Sequence, residues 1–248
     1  MEPGFSGWPK VLFVAFLFPA MMAFLWTQTA HDYASVHLIL KEKWWIIAIM
    51  AVIIYAVARI TASPFHFSDR VSYQGVLVAV PVALVIFGGI AAFKSGGVVW
   101  PTVVTVLLGT LFVGIAEELA YRGIILNELG KLYSVNKSVV ISSVLFGVMH
   151  SVNAMKQPLL NTVTQVILTS IIGLAMAWVY VSSGGNLILV ITLHWLYDGF
   201  LISPGASSIG VNKFGSLPAL LLAVIALALT ARNLRTYKGQ TLGQLGLS

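Results

Sequence analysis

The sequence predicts an all-α, polytopic membrane protein: about eight transmembrane helices in one bundle. The first observation behind this is composition. Of 248 residues, 58% are hydrophobic and only 9% are charged, whereas a soluble domain carries about 25% charged residues. The second is segmentation. The apolar residues fall into long runs close to the ~20 residues needed to cross a bilayer. The third is the absence of cysteine, which excludes disulfides, thiolate metal sites and a cysteine nucleophile. A net charge of +6 would point to nucleic acid in a soluble chain. Here the basic residues lie between apolar runs or near the end, where they act as orientation signals, and no nucleic-acid partner is expected.

The first span is Val11–Thr27, carrying Pro19. The stretch from Met1 to Phe24 has no small-x-small cleavage pattern, so it reads as a retained span, not a secretory signal. The second is Trp44–Ala58, flanked by Lys41, Lys43 and Arg59. The third is Gln74–Phe93, with Pro81 and Gly88-Gly89 as kink points. The fourth begins at Trp100-Pro101, with proline in the first turn, and runs through an acidic motif. The fifth is Ser138–Val152 and the sixth Pro158–Val181. Ser182-Ser183-Gly184-Gly185-Asn186 is a turn. The seventh is Leu187–Ile202 and the eighth Phe214–Ala231. No linker or repeat divides the chain, so residues 1–248 read as one domain, with a motif-bearing core over about 98–204 and a basic tail over 232–248. Eight spans put both termini on one side, which holds Lys10, Arg59, Arg70, Arg122, Lys131, Lys137, Arg232, Arg235 and Lys238. Lys41, Lys43, Lys94, Lys156 and Lys213 lie opposite. The bias predicts both termini in the cytoplasm, at the cell membrane.

Three polar intrusions interrupt these runs. The first is Glu117-Glu118-Leu119-Ala120-Tyr121-Arg122. Ionisable residues inside a span are costly and mark a functional site with a partner. Glu118 and Arg122 are i and i+4 and can pair. Glu117 lies about 100° away round the helix, with no local cation. The second is Phe146 to His150 and the third His194 to Asp198, each pair sharing a helix face. His31, His37 and His66 fall in connections and read as surface histidines. At ~1.5 Å rise per residue, Glu117 lies roughly 21 Å from Lys131, His150 roughly 20 Å from Lys137, and His194 roughly 12 Å from Asn186. The three groups therefore reach overlapping depths and can converge. Each also has a structural reading by itself: an ion pair, a packed histidine, a helix-stabilising polar pair.

A carboxylate and two imidazoles in a dry pocket can activate water. Glu117 would take a proton with help from His150, and His194 held by Asp198 would face an oxyanion. The same Glu117, His150 and His194 would alternatively ligate zinc. Both schemes end in hydrolysis of an amide or ester.

The motifs Glu117-Glu118-x-x-x-Arg122, Phe146-x-x-x-His150 and His194-x-x-x-Asp198, with Asn153 and the Gly185-Asn186-Leu187 lead-in, resemble those of the CAAX protease and bacteriocin-processing (CPBP, or Abi) family. The resemblance implies an intramembrane endopeptidase acting on a membrane-associated peptide or protein. Glu117 and His150 would activate water, and His194 and Asp198 would form the oxyanion side. Glu118, Arg122, Asn153 and Phe146 would support the site. Eukaryotic relatives carry Asn where this chain has Asp198. The family is described both as metalloprotease and as metal-free; the metal-free scheme is favoured here, with zinc as the alternative. Family members also serve in bacteriocin immunity or as scaffolds, so a non-catalytic membrane protein is the competing expectation. A proton-coupled transporter is a weaker third, because paired broken helices in inverted repeats are not seen.

Overall fold

A computed structural model describes residues 6–63, 65, 67–95, 98–203 and 216–247. Among these there is no strand. The helices are α1 (Trp8–Thr27), α2 (Val36–Ile60), α3 (Tyr73–Ser95), α4 (Trp100–Glu118), α5 (Asn127–Leu132), α6 (Val135–Met149), α7 (Leu159–Ser182), α8 (Leu187–Ile202) and α9 (Ser216–Thr236). A π-helical stretch, Leu119–Leu126, joins α4 to α5 without a break, and a 3₁₀ turn, His150–Met155, extends α6. Seven helical segments are long and apolar enough to cross a membrane. The expected seventh span, α8, is shorter at 16 residues, or ~24 Å at 1.5 Å per residue. The bundle is a multi-pass membrane protein.

The continuous post from α4 to α5 organises it. From Ala116 to Gly130 every residue is buried, the charged Glu117, Glu118, Arg122 and Glu128 included, which puts this stretch at the centre of the bundle. α2 and α8 pack along α4, while α6 pairs with α7, α7 with α9, and α3 with both α8 and α9. Large apolar side chains such as Phe16, Phe87 and Leu160 cover the outside, as lipid contact requires.

Several boundaries differ from those expected. α2 begins at Val36 and runs straight through Lys41-Glu42-Lys43, because long charged side chains near a helix end reach the interface. Pro19 and Pro81 sit inside α1 and α3 without ending them. The turn before α8 is formed by Gly184 and Gly185 at φ +67° and +82°, a region open to glycine. Asn186 then caps α8 by accepting from the Leu189 N–H at 2.9 Å. The start of the eighth expected span at Phe214, and also His66 and Lys213, lie outside the described residues. His31 pairs with Glu42 at 3.2 Å.

Two basic features also differ. Lys10 is buried, donating to Glu128 Oε1 at 2.9 Å and to the Thr61 carbonyl at 2.7 Å. Residues 237–247 of the basic tail fold back against the bundle. Leu242 and Leu247 are buried, the Val135 N–H donates to the Gln240 carbonyl at 2.8 Å, and Leu242 fills the space that a side chain at Gly130 would need.

Candidate active site

The acidic motif sits where α4 passes into the π-helical stretch. Glu117 and Glu118 end the α-helix and Tyr121 and Arg122 follow. π segments interrupt helices most often at functional sites. The i,i+4 pair survives the change: Arg122 Nη1 donates to Glu118 Oε1 at 3.0 Å. Arg122 Nη2 also donates to the Gly173 carbonyl of α7 at 3.0 Å. Its guanidinium lies 4.5 Å over the Phe146 ring, a cation–π contact. Arg122 therefore ties α4 to α6 and α7.

Glu118 does more than balance Arg122. Its Oε1 also faces His194 Nδ1 at 2.7 Å. The sequence reading gave Asp198 the task of holding His194, yet Asp198 Oδ2 lies farther away, 3.2 Å from Nε2. Glu118 is the closer anchor, and it joins α4 to α8. Glu117 Oε2 comes within 3.8 Å of the same Nε2, so Glu117 does have an imidazole neighbour, supplied by α8 and invisible from its own helix. That distance exceeds a hydrogen bond, and Glu117 makes none with the described residues.

His150 caps α6 and opens the 3₁₀ turn that follows it. Its Nδ1 is 2.9 Å from the Phe146 carbonyl. A carbonyl only accepts, so Nδ1 carries the proton and Nε2 keeps its lone pair. Phe146 touches everything in turn. Its ring is edge-on to Tyr121 at 5.2 Å, His150 at 5.1 Å and His194 at 6.2 Å. The support role expected for Phe146 is a packing contact with both imidazoles.

Two cavities meet here. The larger, about 490 Å³, is walled by α7 and α8 and touches Phe146, His150, His194 and Asp198. The smaller, about 80 Å³, holds Glu117, His150, Asn153 and Asp198. His150 and Asp198 line both. The structure thus brings together all four residues expected to do chemistry, Glu117, His150, His194 and Asp198.

Zinc needs three protein donors converging at about 2.0–2.2 Å. Among the described residues no group of three His, Cys, Asp or Glu is so gathered, and both His194 nitrogens face carboxylates. As arranged, Glu117, His150 and His194 do not fit the ion, although their atom types suit it.

Asn153, expected at a helix end or interface, is instead buried. Its Oδ1 accepts from Trp26 Nε1 at 3.1 Å and its Nδ2 donates to Gln165 Oε1 at 3.0 Å. Trp26, Tyr33 and Gln165 were missed by sequence reasoning. They carry no motif: Trp26 and Gln165 reach the site through Asn153, and Tyr33 through the cavities it lines.

A family model described as type II CAAX prenyl endopeptidase Rce1-like matches residues 99–200, which include every motif residue from Glu117 to Asp198. No curated protein and no solved structure matches the chain. Over that segment and the three motifs it spans, the chain is similar to the CAAX protease and bacteriocin-processing family.

Proposed function

We propose that the protein is an intramembrane endopeptidase that cleaves a membrane-associated peptide or protein with water activated by Glu117 and His150. One observation carries this reading. A buried carboxylate without a hydrogen-bond partner and an imidazole with a free Nε2 lone pair share a cavity of about 80 Å³, against a liquid-water share of ≈ 30 Å³ per molecule. That cavity adjoins one large enough for a peptide segment.

In this scheme a water in the small cavity loses a proton to His150 Nε2 or Glu117, and its oxygen attacks the scissile carbonyl carbon. The carbonyl π pair moves to oxygen. The imidazole charge formed on His150 is steadied by the Phe146 carbonyl on Nδ1. When the C–N bond breaks, the same proton goes to the leaving amine. His194, clamped by Glu118, holds Asp198 and Glu117 in register. No step is routed through a metal.

The family description makes a prenylated CAAX peptide the first substrate to assay. Exposed Arg59, Arg70, Arg232, Arg235 and Lys238 support the cytoplasmic placement of both termini. The test compares peptide termini in cells carrying wild type and Glu117→Ala. New termini that vanish in the variant are expected; identical termini would reject the peptidase. The competing immunity or scaffold role draws on the Glu118–Arg122–Gly173 link, which ties helices without Glu117. It expects an unchanged phenotype for Glu117→Ala.

A further inference from the structure

The buried amides beside the site have a fixed direction. The Trp26 indole can only donate, so the Asn153 atom it meets at 3.1 Å is the oxygen. Asn153 must then present its amide nitrogen to Gln165, whose Oε1 accepts it at 3.0 Å and accepts Gln157 Nε2 at 2.7 Å as well. Gln165 is left with Nε2 for Tyr33, at 2.7 Å. An amide NH₂ has no lone pair to offer. The Tyr33 oxygen is therefore the acceptor, and its O–H must point elsewhere. No acceptor for it occurs among the described residues.

Tyr33 lines both cavities, together with His150 and Asp198. Its position is held three ways. Its N–H donates to the Lys156 carbonyl at 2.9 Å, its ring packs edge-on against Trp26 at 5.9 Å, and Gln165 holds its oxygen. Lys156 Nζ in turn donates to the Thr29 carbonyl at 2.7 Å. The connection between α1 and α2 is thereby fastened to the turn that follows His150.

The developing oxyanion needs a donor, and both His194 nitrogens are already engaged with carboxylates. We infer that Tyr33, outside the family-matched segment, donates its phenolic O–H to the substrate carbonyl oxygen as that oxygen becomes an oxyanion. This rests on the peptidase reading. Tyr33 transfers no proton: the water, which gives its proton to His150 or Glu117, adds to the carbonyl carbon, the π electrons move to oxygen, and the Tyr33 O–H shortens its hydrogen bond to that charge. Collapse of the intermediate restores the carbonyl, and the proton held by His150 or Glu117 goes to the leaving amine.

The experiment uses the full chain in lipid nanodiscs with a prenylated CAAX peptide, and with the same peptide carrying an anionic phosphonate at the scissile position. Tyr33→Phe keeps the ring and removes only the donor. Its kcat should fall on the order of 100-fold with KM within about twofold. Wild type should bind the phosphonate on the order of 100-fold more tightly than the peptide, and Tyr33→Phe should lose most of that preference. Where Tyr33→Phe does not fold, Tyr33→3-fluorotyrosine, a more acidic donor, should increase the preference. Wild-type kcat in Tyr33→Phe, an undiminished phosphonate preference in it, or no preference in the wild type would each overturn the assignment. Failure of the peptidase reading looks different: Glu117→Ala cleaves as well as wild type, or nothing is cleaved. The phosphonate comparison decides Tyr33 in either case.

Discussion

Two carboxylate clusters are buried in this bundle, about Glu128 and about Glu117–Glu118, and they are finished to different degrees. Glu128 is fully dressed. Oε1 accepts from Lys10 at 2.9 Å and Lys131 at 2.7 Å, and Oε2 accepts from the Gly7 N–H at 2.9 Å. No cavity reaches it among those described. Glu118 is half dressed: Arg122 and His194 share Oε1, while the buried Oε2 has no partner among the described residues. Glu117 goes further: it is buried, makes no hydrogen bond with the described residues and faces a cavity, with the His194 ring nitrogen 3.8 Å away. A buried charge is normally paired and hydrogen-bonded. The contrast teaches that burial alone does not mark a reactive acid. The mark is a buried acid that makes no hydrogen bond and faces a cavity, as Glu117 does.

This comparison can be broken at several points. His150→Gln removes the neighbouring base while leaving Glu128 untouched, and cleavage should fall on the order of 10²–10⁴-fold with an unchanged unfolding transition. A variant that unfolds instead would make the His150 corner structural. Arg122→Met should cost about 3–5 kcal/mol, because it leaves Glu118 buried with half its partners. Reversible unfolding in mixed micelles measures this, and a loss below 1 kcal/mol would mean that His194 alone sustains Glu118. Gly147→Ala should cost about 1–3 kcal/mol by overpacking, since a Cβ there meets the Ser170 hydroxyl and the Val166 carbonyl. It should also lower cleavage, because α6 carries His150; unaltered cleavage would show that the site tolerates a shifted α6. Lys10→Met should cost least, about 1–2 kcal/mol, because Lys131 and the Gly7 N–H still serve Glu128. Its specific activity, measured on the folded fraction, should equal wild type.

Much of the bundle could be read from apolar runs, and the Glu118–Arg122 pair from i,i+4 spacing, because both are local properties of one helix. The seventh expected span has the same bounds in the structure. α2 was underestimated because Lys41 and Lys43 look like a boundary in one dimension, while the helix continues through them. The site was legible as a set of residues but not as a wiring diagram. That His194 leans on Glu118, 76 positions away, depends on how α8 rotates against α4, which no single helix encodes. Lys10 looked like an orientation charge because Glu128 lies on another helix. Tyr33 and Gln165 were silent for the same reason: each gains meaning only through a neighbour 132 positions away.

The Lys10–Glu128 bond spans 118 positions, and a chain is delivered to the bilayer in order. α1 arrives with its ammonium while the matching carboxylate is still several spans from being made. Until α5 emerges, Lys10 must be tended by water, lipid headgroups or the insertion machinery. The bond therefore works as a timestamp on assembly. Its closure reports that the central post has been inserted the right way round, and a chain that stalls earlier displays an unmatched cation to whatever surveys the membrane for unfinished proteins.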